Sequence, residues 1–333
     1  MLTELRLDAI TGEWVVIAGE RARRPHDFAN HREARHQPEY EVDCPFCPGN
    51  EHLTPPEVAA YIDESYSLHW TIRVVPNKFP ALCPTGVAEK KLVNGYFWAM
   101  DGFGVHEVII ESRHHNRTFY NMKVTEVEPI IRMYRDRYNV LIRDPKIKMI
   151  IIFKNHGLSA GTSLVHPHSQ IVATPIVSGY VRRKCELAKE HFTKTGRCLH
   201  CDINELEIKS RIRIVHENNS FVMFHPFASH YPFETWISPK KHSSCFDEID
   251  SSGIHDLAEA TCEIFGKIGR ALGKLDFNCI FHLTPADNKA KDYVHWYLQI
   301  VPRTWTDGGF EMGSGIRINA SVPEDTAEFL REK

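Results

Sequence analysis

What most constrains this chain is an internal repeat. Two C-x-x-C pairs, Cys44-Pro-Phe-Cys47 and Cys198-Leu-His-Cys201, are each followed by the same succession of landmarks. Arg73-Val-Val-Pro-Asn-Lys-Phe79 resembles Arg213-Ile-Val-His-Glu-Asn-Asn-Ser-Phe221, and Glu107 to His115 (EVIIESRHH) matches Glu234 to His242 (ETWISPKKH) at identical spacing. His166-Pro-His-Ser-Gln170 then matches His295-Trp-Tyr-Leu-Gln299. His115 and His166 are 51 positions apart and His242 and His295 are 53 apart, whereas the distance from the C-x-x-C to the first histidine differs by 27. The extra length therefore lies in the loops before that histidine. Chance could produce any one pair; four in one order imply a duplication, and repeats decide architecture before single motifs do. Residues 1–175 are expected to form one repeat and 176–333 a second of the same fold.

At 333 residues and 42% apolar the chain can build two ordinary domains or one large one. Forty basic against 43 acidic residues leave a charge of -3, so an anionic ligand must be held by a local cluster, and a general nucleic-acid binder is excluded. No apolar run approaches the roughly 18 residues of a spanning helix, and the start lacks the order of a secretion signal, so no membrane partner and a cytoplasmic location are expected. Nine cysteines, an odd number, beside 20 histidines favour reduced thiols and metal sites over a disulfide framework. Runs such as Glu107–Glu111, Met149–Phe153 and Asn278–His282 read as buried strands, and Val124–Ile142 and Gly253–Leu272 as helices. The class is α+β, with helices expected to cover one sheet face. The stretch from Gly86 to Gly104 lacks clear periodicity and reads as a loop.

Each half offers two thiols three apart and two later histidines, the Cys2His2 set that tetrahedral zinc accepts. The proposed sets are Cys44, Cys47, His115, His166 and Cys198, Cys201, His242, His295, giving two ions per chain. Iron is an alternative in the second set. The competing reading of a cytoplasmic C-x-x-C is a redox pair, but neither pair precedes a convincing long helix. Cys83, Cys185, Cys245, Cys262 and Cys279 have no partner at ligand spacing.

From His166 to Pro175 the chain alternates like a strand, so His166, His168 and Gln170 should project from one face. A histidine nitrogen can attack phosphorus and form a covalent nucleotidyl intermediate, while a neighbouring amide donates to the phosphoryl oxygens. The second repeat keeps His295 and Gln299 but has Tyr297 where the first has His168. The first histidine of each triplet thus suits metal, and the middle one, present once, suits chemistry. The plainer alternative makes all three histidines ligands or satisfied buried groups.

His166-Pro-His168-Ser-Gln170, preceded by Asn155-His-Gly-Leu-Ser-Ala-Gly-Thr-Ser163 and Cys44-Pro-Phe-Cys47, resembles the galactose-1-phosphate uridylyltransferase branch of the histidine-triad superfamily. The likeness runs from Thr11-Gly-Glu-Trp-Val-Val-Ile17 to Pro323–Arg331. It implies two tandem histidine-triad-like repeats, each an antiparallel sheet with flanking helices, and a homodimer whose active sites form between subunits. It also implies ping-pong transfer of UMP between UDP-glucose and galactose-1-phosphate through His168, steadied by Gln170. On the same resemblance Arg21 and Arg24, with Arg23 beside them, match arginines near the phosphates, and guanidinium donors suit phosphate oxygens; a solvated basic loop is the alternative. Asn77 matches a nucleotide-binding asparagine, or caps a turn. Asn155 and Ser163 match residues near the phosphates, and Gln299 of the second triplet is also expected to bind substrate. Gly309, Phe310, Glu311 and Gly313 lie in a segment resembling one that meets the hexose, or in a turn between strands. Ser169 and the second C-x-x-C depart from the well-known transferases, and the two-site arrangement with Cys198 and Cys201 resembles plant relatives that phosphorolyse ADP-glucose. The same histidine could serve a phosphorylase passing the nucleotide to inorganic phosphate, and a non-catalytic nucleotide-binding relative is a further alternative.

Overall fold

The structure is a computed structural model that describes residues 3–18, 24–28, 37–63, 69–288 and 291–333. Strands β1 (Glu4–Leu7) and β2 (Trp14–Ile17) form an amino-terminal hairpin. The first repeat supplies β3 (Ala59–Asp63), β4 (His69–Pro76), a small hairpin of β5 (Lys91–Val93) and β6 (Phe97–Ala99), then β7 (Val105–Ile110), β8 (Met149–His156) and β9 (His168–Thr174). The second supplies β10 (Ile214–Glu217), β11 (Phe221–Phe224), β12 (Thr235–Pro239), β13 (Phe277–His282) and β14 (Tyr297–Pro302), with β15 (Arg317–Asn319) pairing parallel to β2. The helices are α1 (Val124–Leu141), α2 (Gly179–Thr195), α3 (Leu199–Ser210), α4 (Ser251–Leu272), α5 (Gly309–Ser314) and α6 (Pro323–Arg331).

Ten strands form one antiparallel sheet in the order β10-β11-β12-β14-β13-β8-β9-β7-β4-β3. On the central strands Phe153 lies opposite Ile280; Phe153 is also opposite Gln170, and Ile280 opposite Gln299. A pseudo-twofold axis therefore passes between Phe153 and Ile280 and exchanges the two five-strand units. The α+β class with two tandem repeats is present, and the register corrects two details of the sequence comparison. By topology β4 corresponds to β11, so Arg73–Phe79 does not match Arg213–Phe221, whose first part forms β10. Val108 faces Gln170 as Trp236 faces Gln299, while Ser112 and Pro239 offer equivalent carbonyls to His166 and His295. Four steps separate the first pair of positions and three the second, so Glu111 is an inserted residue. The matched spacing of EVIIESRHH and ETWISPKKH conceals it, and the true counterpart of His106 is Glu234.

Helices α1 and α4 pack on each other and on one sheet face. In α1 the buried Val127, Ile130, Ile131, Tyr134, Tyr138 and Leu141 recur at helical spacing, as do Ile254, Leu257, Ala258, Thr261, Ile264, Phe265 and Ile268 in α4. The Asp250 carboxylate caps α4 by accepting from Gly253 N–H at 2.7 Å. On the opposite face of the second repeat, Val222, Phe224, Trp236 and Tyr297 pack with Leu199 of α3. In the first repeat that face carries the Cys44–Cys47 loop against Trp70, Val75, Val108 and Ile110. Because cross-strand partners share a face, Ile110 and Val108 bring His168 and Gln170 to this side.

Three further differences from the sequence reading have physical causes. The stretch between Gly86 and Gly104 contains the β5–β6 hairpin, turned by Asn94 and Gly95, both at positive φ. Asn-Gly is the usual pair for such a turn, but the flanking side chains are exposed and show no buried alternation. Helix α2 buries only Ala188, so it offers no apolar stripe. Helix α3 starts directly after Cys198 and runs for 12 residues, so the second C-x-x-C opens a helix where no convincing long one was expected.

Candidate active site and metal centres

Two Cys/His groups converge among the described residues, Cys44, Cys47, His115, His166 and Cys198, Cys201, His242, His295, the ligand atoms of each lying within 4.8 Å of one another. Cys47 Sγ is 3.6 Å from Nδ1 of both His115 and His166. Cys201 Sγ is 3.4 Å from His242 Nδ1 and 3.7 Å from His295 Nδ1. A tetrahedral zinc with ordinary bond lengths of about 2.3 Å to sulfur and 2.0–2.1 Å to nitrogen requires sulfur–nitrogen edges of about 3.6 Å, so both groups fit such an ion. Outer partners fit as well. His166 Nε2 donates to the Ser112 carbonyl at 2.8 Å and His295 Nε2 to the Pro239 carbonyl at 3.1 Å, which leaves each Nδ1 for a ligand bond. The first group is wholly buried, whereas His242 of the second is exposed. The two groups can hold metal ions, and an ion in the first would tie the Cys44–Cys47 loop to the start of β9.

His168 opens β9 and is buried. Its Nδ1 donates to the His166 carbonyl at 2.8 Å, so the lone pair sits on Nε2. Burial lowers its pKa from the ordinary histidine value, which keeps the ring neutral. The arrangement leaves the Nε2 lone pair chemically able to attack an electrophile. The Phe46 ring, whose centroid is 5.4 Å from that of His168, packs beside it.

Behind His168, on the helix side of the sheet, is a buried polar network that the sequence did not disclose. Lys154 pairs with Glu111 and donates to the His168 carbonyl at 3.2 Å. Ser169 donates to the Glu111 carboxylate, and the Tyr134 hydroxyl reaches it at 2.7 Å. By register Lys154 corresponds to Phe281 and Ser169 to Leu298, and Glu111 is the inserted residue, so the network belongs to the first repeat alone. The signal was the insertion, visible only once the strands were paired.

The preceding loop is also fixed from the second repeat. Gly157 has φ +87°, and a Cβ there would overlap the Asp276 carboxylate, which accepts from Ser159 N–H at 2.9 Å and from its hydroxyl at 2.7 Å. Asn155 Oδ1 accepts from Asn278 Nδ2 at 2.7 Å. Ser163 is exposed at the end of this loop. Gln170 and Asn77 are adjacent, with Asn77 Nδ2 3.4 Å from Gln170 Oε1, while Asn77 Oδ1 accepts from Phe79 N–H at 2.9 Å and so also makes a turn.

Other expected residues do not converge here. Arg21 and Arg23 lie outside the described residues. Arg24 is exposed in a segment that packs through Phe28 against Phe233 of the second repeat, with α4 and α6 alongside. That is the sheet face opposite His168. Gly309, Phe310, Glu311 and Gly313 are in helix α5, not a strand-linking turn; with Trp305, Ile318 and Ala320 its first residues line a concavity of about 460 Å³. Glu311 is buried and accepts from Gly308 N–H at 3.0 Å. Gln299 has both ends of its amide engaged, donating to Glu234 at 2.8 Å and accepting from His282 Nε2 at 2.8 Å. In the position of His168, Tyr297 meets Lys184 of α2 at 2.8 Å, leaving a cavity of about 40 Å³, room for water but not a nucleotide.

Fold and site thus define a duplicated antiparallel-sheet protein with one equipped histidine and two Cys2His2 groups. Residues 1–178 match the family model described as galactose-1-phosphate uridyl transferase, N-terminal domain. The chain is 36% identical over 332 residues to ADP-glucose phosphorylase of Arabidopsis thaliana, covering 99% of this chain and 92% of that protein. It is 26% identical over 340 residues to galactose-1-phosphate uridylyltransferase of Thermotoga maritima, covering 99% and 98%. A crystal structure of the Arabidopsis ADP-glucose phosphorylase with bound ADP-glucose superposes with a TM-score of 0.84 at 34% identity and 99% coverage of both chains. A uridylyltransferase structure gives 0.76 at 26% identity, covering 99% and 97%. The chain belongs to the galactose-1-phosphate uridylyltransferase family of nucleotidyltransferases.

Proposed function

We propose that this protein transfers a nucleoside monophosphate from a nucleotide sugar to a phosphate-bearing acceptor through a covalent intermediate on His168. The observation that carries the reading is the Nδ1 contact to the His166 carbonyl at 2.8 Å, which leaves a neutral Nε2 lone pair beside Gln170. Nε2 attacks the α-phosphorus, the bond from phosphorus to the bridging oxygen breaks, and sugar-1-phosphate leaves with the electron pair. Gln170 donates to the phosphoryl oxygens, whose added charge such a donor stabilises. The adducted ring keeps its Nδ1 proton on the His166 carbonyl. An acceptor phosphate oxygen then attacks the same phosphorus, and His168 departs neutral.

ADP-glucose with inorganic phosphate as acceptor is the first substrate pair, supported by the 36% identity to the Arabidopsis phosphorylase. UDP-glucose with galactose-1-phosphate, the pair expected from the sequence motif, is the second; the relatives named for that chemistry are 26% identical or less. Zinc is the ion proposed for both Cys2His2 groups, holding the scaffold without touching substrate. Because Arg24 and His168 occupy opposite faces of one chain, a homodimer in which a second copy supplies the arginines completes the phosphate site.

Each donor should be mixed with enzyme, quenched rapidly and examined by mass spectrometry, in wild type and in His168→Asn. An AMP adduct on His168 that phosphate discharges supports the first pair, and a UMP adduct discharged by galactose-1-phosphate the second. No adduct with either donor would sink the covalent reading.

A further inference from the structure

The amide of Gln170 is oriented by a chain of hydrogen bonds that the second repeat reverses. Ala81 N–H donates to His106 Nδ1 at 3.0 Å, so that nitrogen carries no proton and Nε2 carries one. His106 Nε2 then donates to Gln170 Oε1 at 2.7 Å. Asn77 is the second donor at this oxygen: its own oxygen is taken by Phe79 N–H, and its Nδ2 lies between His106 Nε2 at 3.1 Å and Gln170 Oε1 at 3.4 Å, where only the latter can accept. With two donors aimed at it, this end of the amide is the oxygen. Gln170 Nε2 is directed away and meets no acceptor among the described residues, so its two hydrogens remain for a ligand.

The second repeat has the opposite polarity at the equivalent position. Glu234, the counterpart of His106, is an acceptor and takes the proton of Gln299 Nε2 at 2.8 Å. His282, accepting from Lys184 at Nδ1, donates from Nε2 to Gln299 Oε1 at 2.8 Å. One glutamine is therefore presented to a ligand and its twin is consumed inside the protein. The difference lies on the two neighbouring strands, where His106 is replaced by the acceptor Glu234 and Asn155 by the donor His282.

We infer that His106 is a positioning residue for nucleotidyl transfer: through its Nε2–H it fixes the Gln170 amide with N–H, not C=O, toward the phosphoryl group. A reversed amide would set a carbonyl dipole against phosphoryl oxygens that gain charge as His168 attacks. His106 itself touches Gln170 rather than substrate. The inference rests on the roles given above to His168 and Gln170, and the test separates the two.

The readout is the rate constant for forming the His168 adduct, measured by rapid quench with the donor that labels wild type. His106→Leu should slow adduct formation about a hundredfold, the scale for losing one donor to a developing oxyanion, with KM changed by no more than about threefold. His106→Gln, which can still donate an amide N–H, should stay within about tenfold of wild type. In a Gln170→Ala background His106→Leu should add less than about twofold, because its only route of action is gone. His106→Asn, too short to reach Gln170, repeats the test should the leucine variant lose its melting temperature or metal content. Wild-type rates in the Leu or Asn variant, or an equal loss with and without Gln170, would overturn the role of His106 alone. No adduct in wild type would instead overturn the nucleophile assignment, and this inference with it.

Discussion

Lys154 and Glu111 are almost wholly removed from water, at 3% and 0% side-chain exposure. Two buried charges satisfy one another only as a pair, and removing one leaves the other uncompensated. Lys154→Met should therefore destabilise the chain by about 3–5 kcal/mol in urea titration. Adding Glu111→Leu should restore most of that loss, since the second repeat fills the corresponding ground with Phe281 and Leu298 in the same fold. A double variant no more stable than Lys154→Met alone would show that the inserted residue cannot be accommodated without its charge. Lys154 of the pair also holds the His168 carbonyl, so the stability of this spot and the placement of His168 share one lysine.

Among the elements, the Cys44–Cys47 loop and the amino end of α3 meet distant strands both through apolar packing and through their Cys/His groups. Elemental analysis should find close to two metal ions per chain, falling by one in His115→Ala and by one in Cys201→Ser. Chelation should lower the melting temperature by at least about 5 °C, as expected when a ligand of the native state is withdrawn; protein purified without chelator and containing no metal would remove both sites. These Cys/His groups were legible in the sequence because metal sites of this kind use particular residue types, and two of the four lie at a fixed short spacing. Helices α1 and α4 were legible through their buried stripes. Helix α2 was not, since it covers the second repeat mainly through the polar Lys184, and the β5–β6 hairpin escaped although Asn94-Gly95 announced its turn. Glu111, Lys154 and His106 were beyond reach for another reason. Their meaning depends on which strand faces which, and a shift of one residue moves a side chain to the other face of the sheet.

At the scale of the whole molecule, duplication gives one sheet with a near-symmetric frame and polar equipment that is not symmetric, and several histidines outside the proposed site are held neutral by burial. Burial drives the pKa of His156 down to about 4 and that of His225 down to about 3, and burial lowers His282 as well. His225 donates from Nδ1 to the Thr326 hydroxyl at 2.8 Å, joining the end of β11 to α6, while its Nε2 is buried without a partner. Below the ordinary histidine value of about 6.5 the unfolded chain takes up protons that these rings refuse in the folded state. Stability should thus fall as pH drops from about 6.5 toward 4, each ring contributing up to about 1.4 kcal/mol per pH unit. Loss of metal at low pH acts in the same direction, so the contribution of one ring must be read as a difference. His225→Asn keeps a donor near Thr326 without a titrating ring, and the slope of unfolding free energy against pH between 6 and 4.5 should be shallower than wild type by about one proton. Equal slopes in the two proteins would mean that His225 already charges in the folded state and that the contact between β11 and α6 tolerates a buried cation.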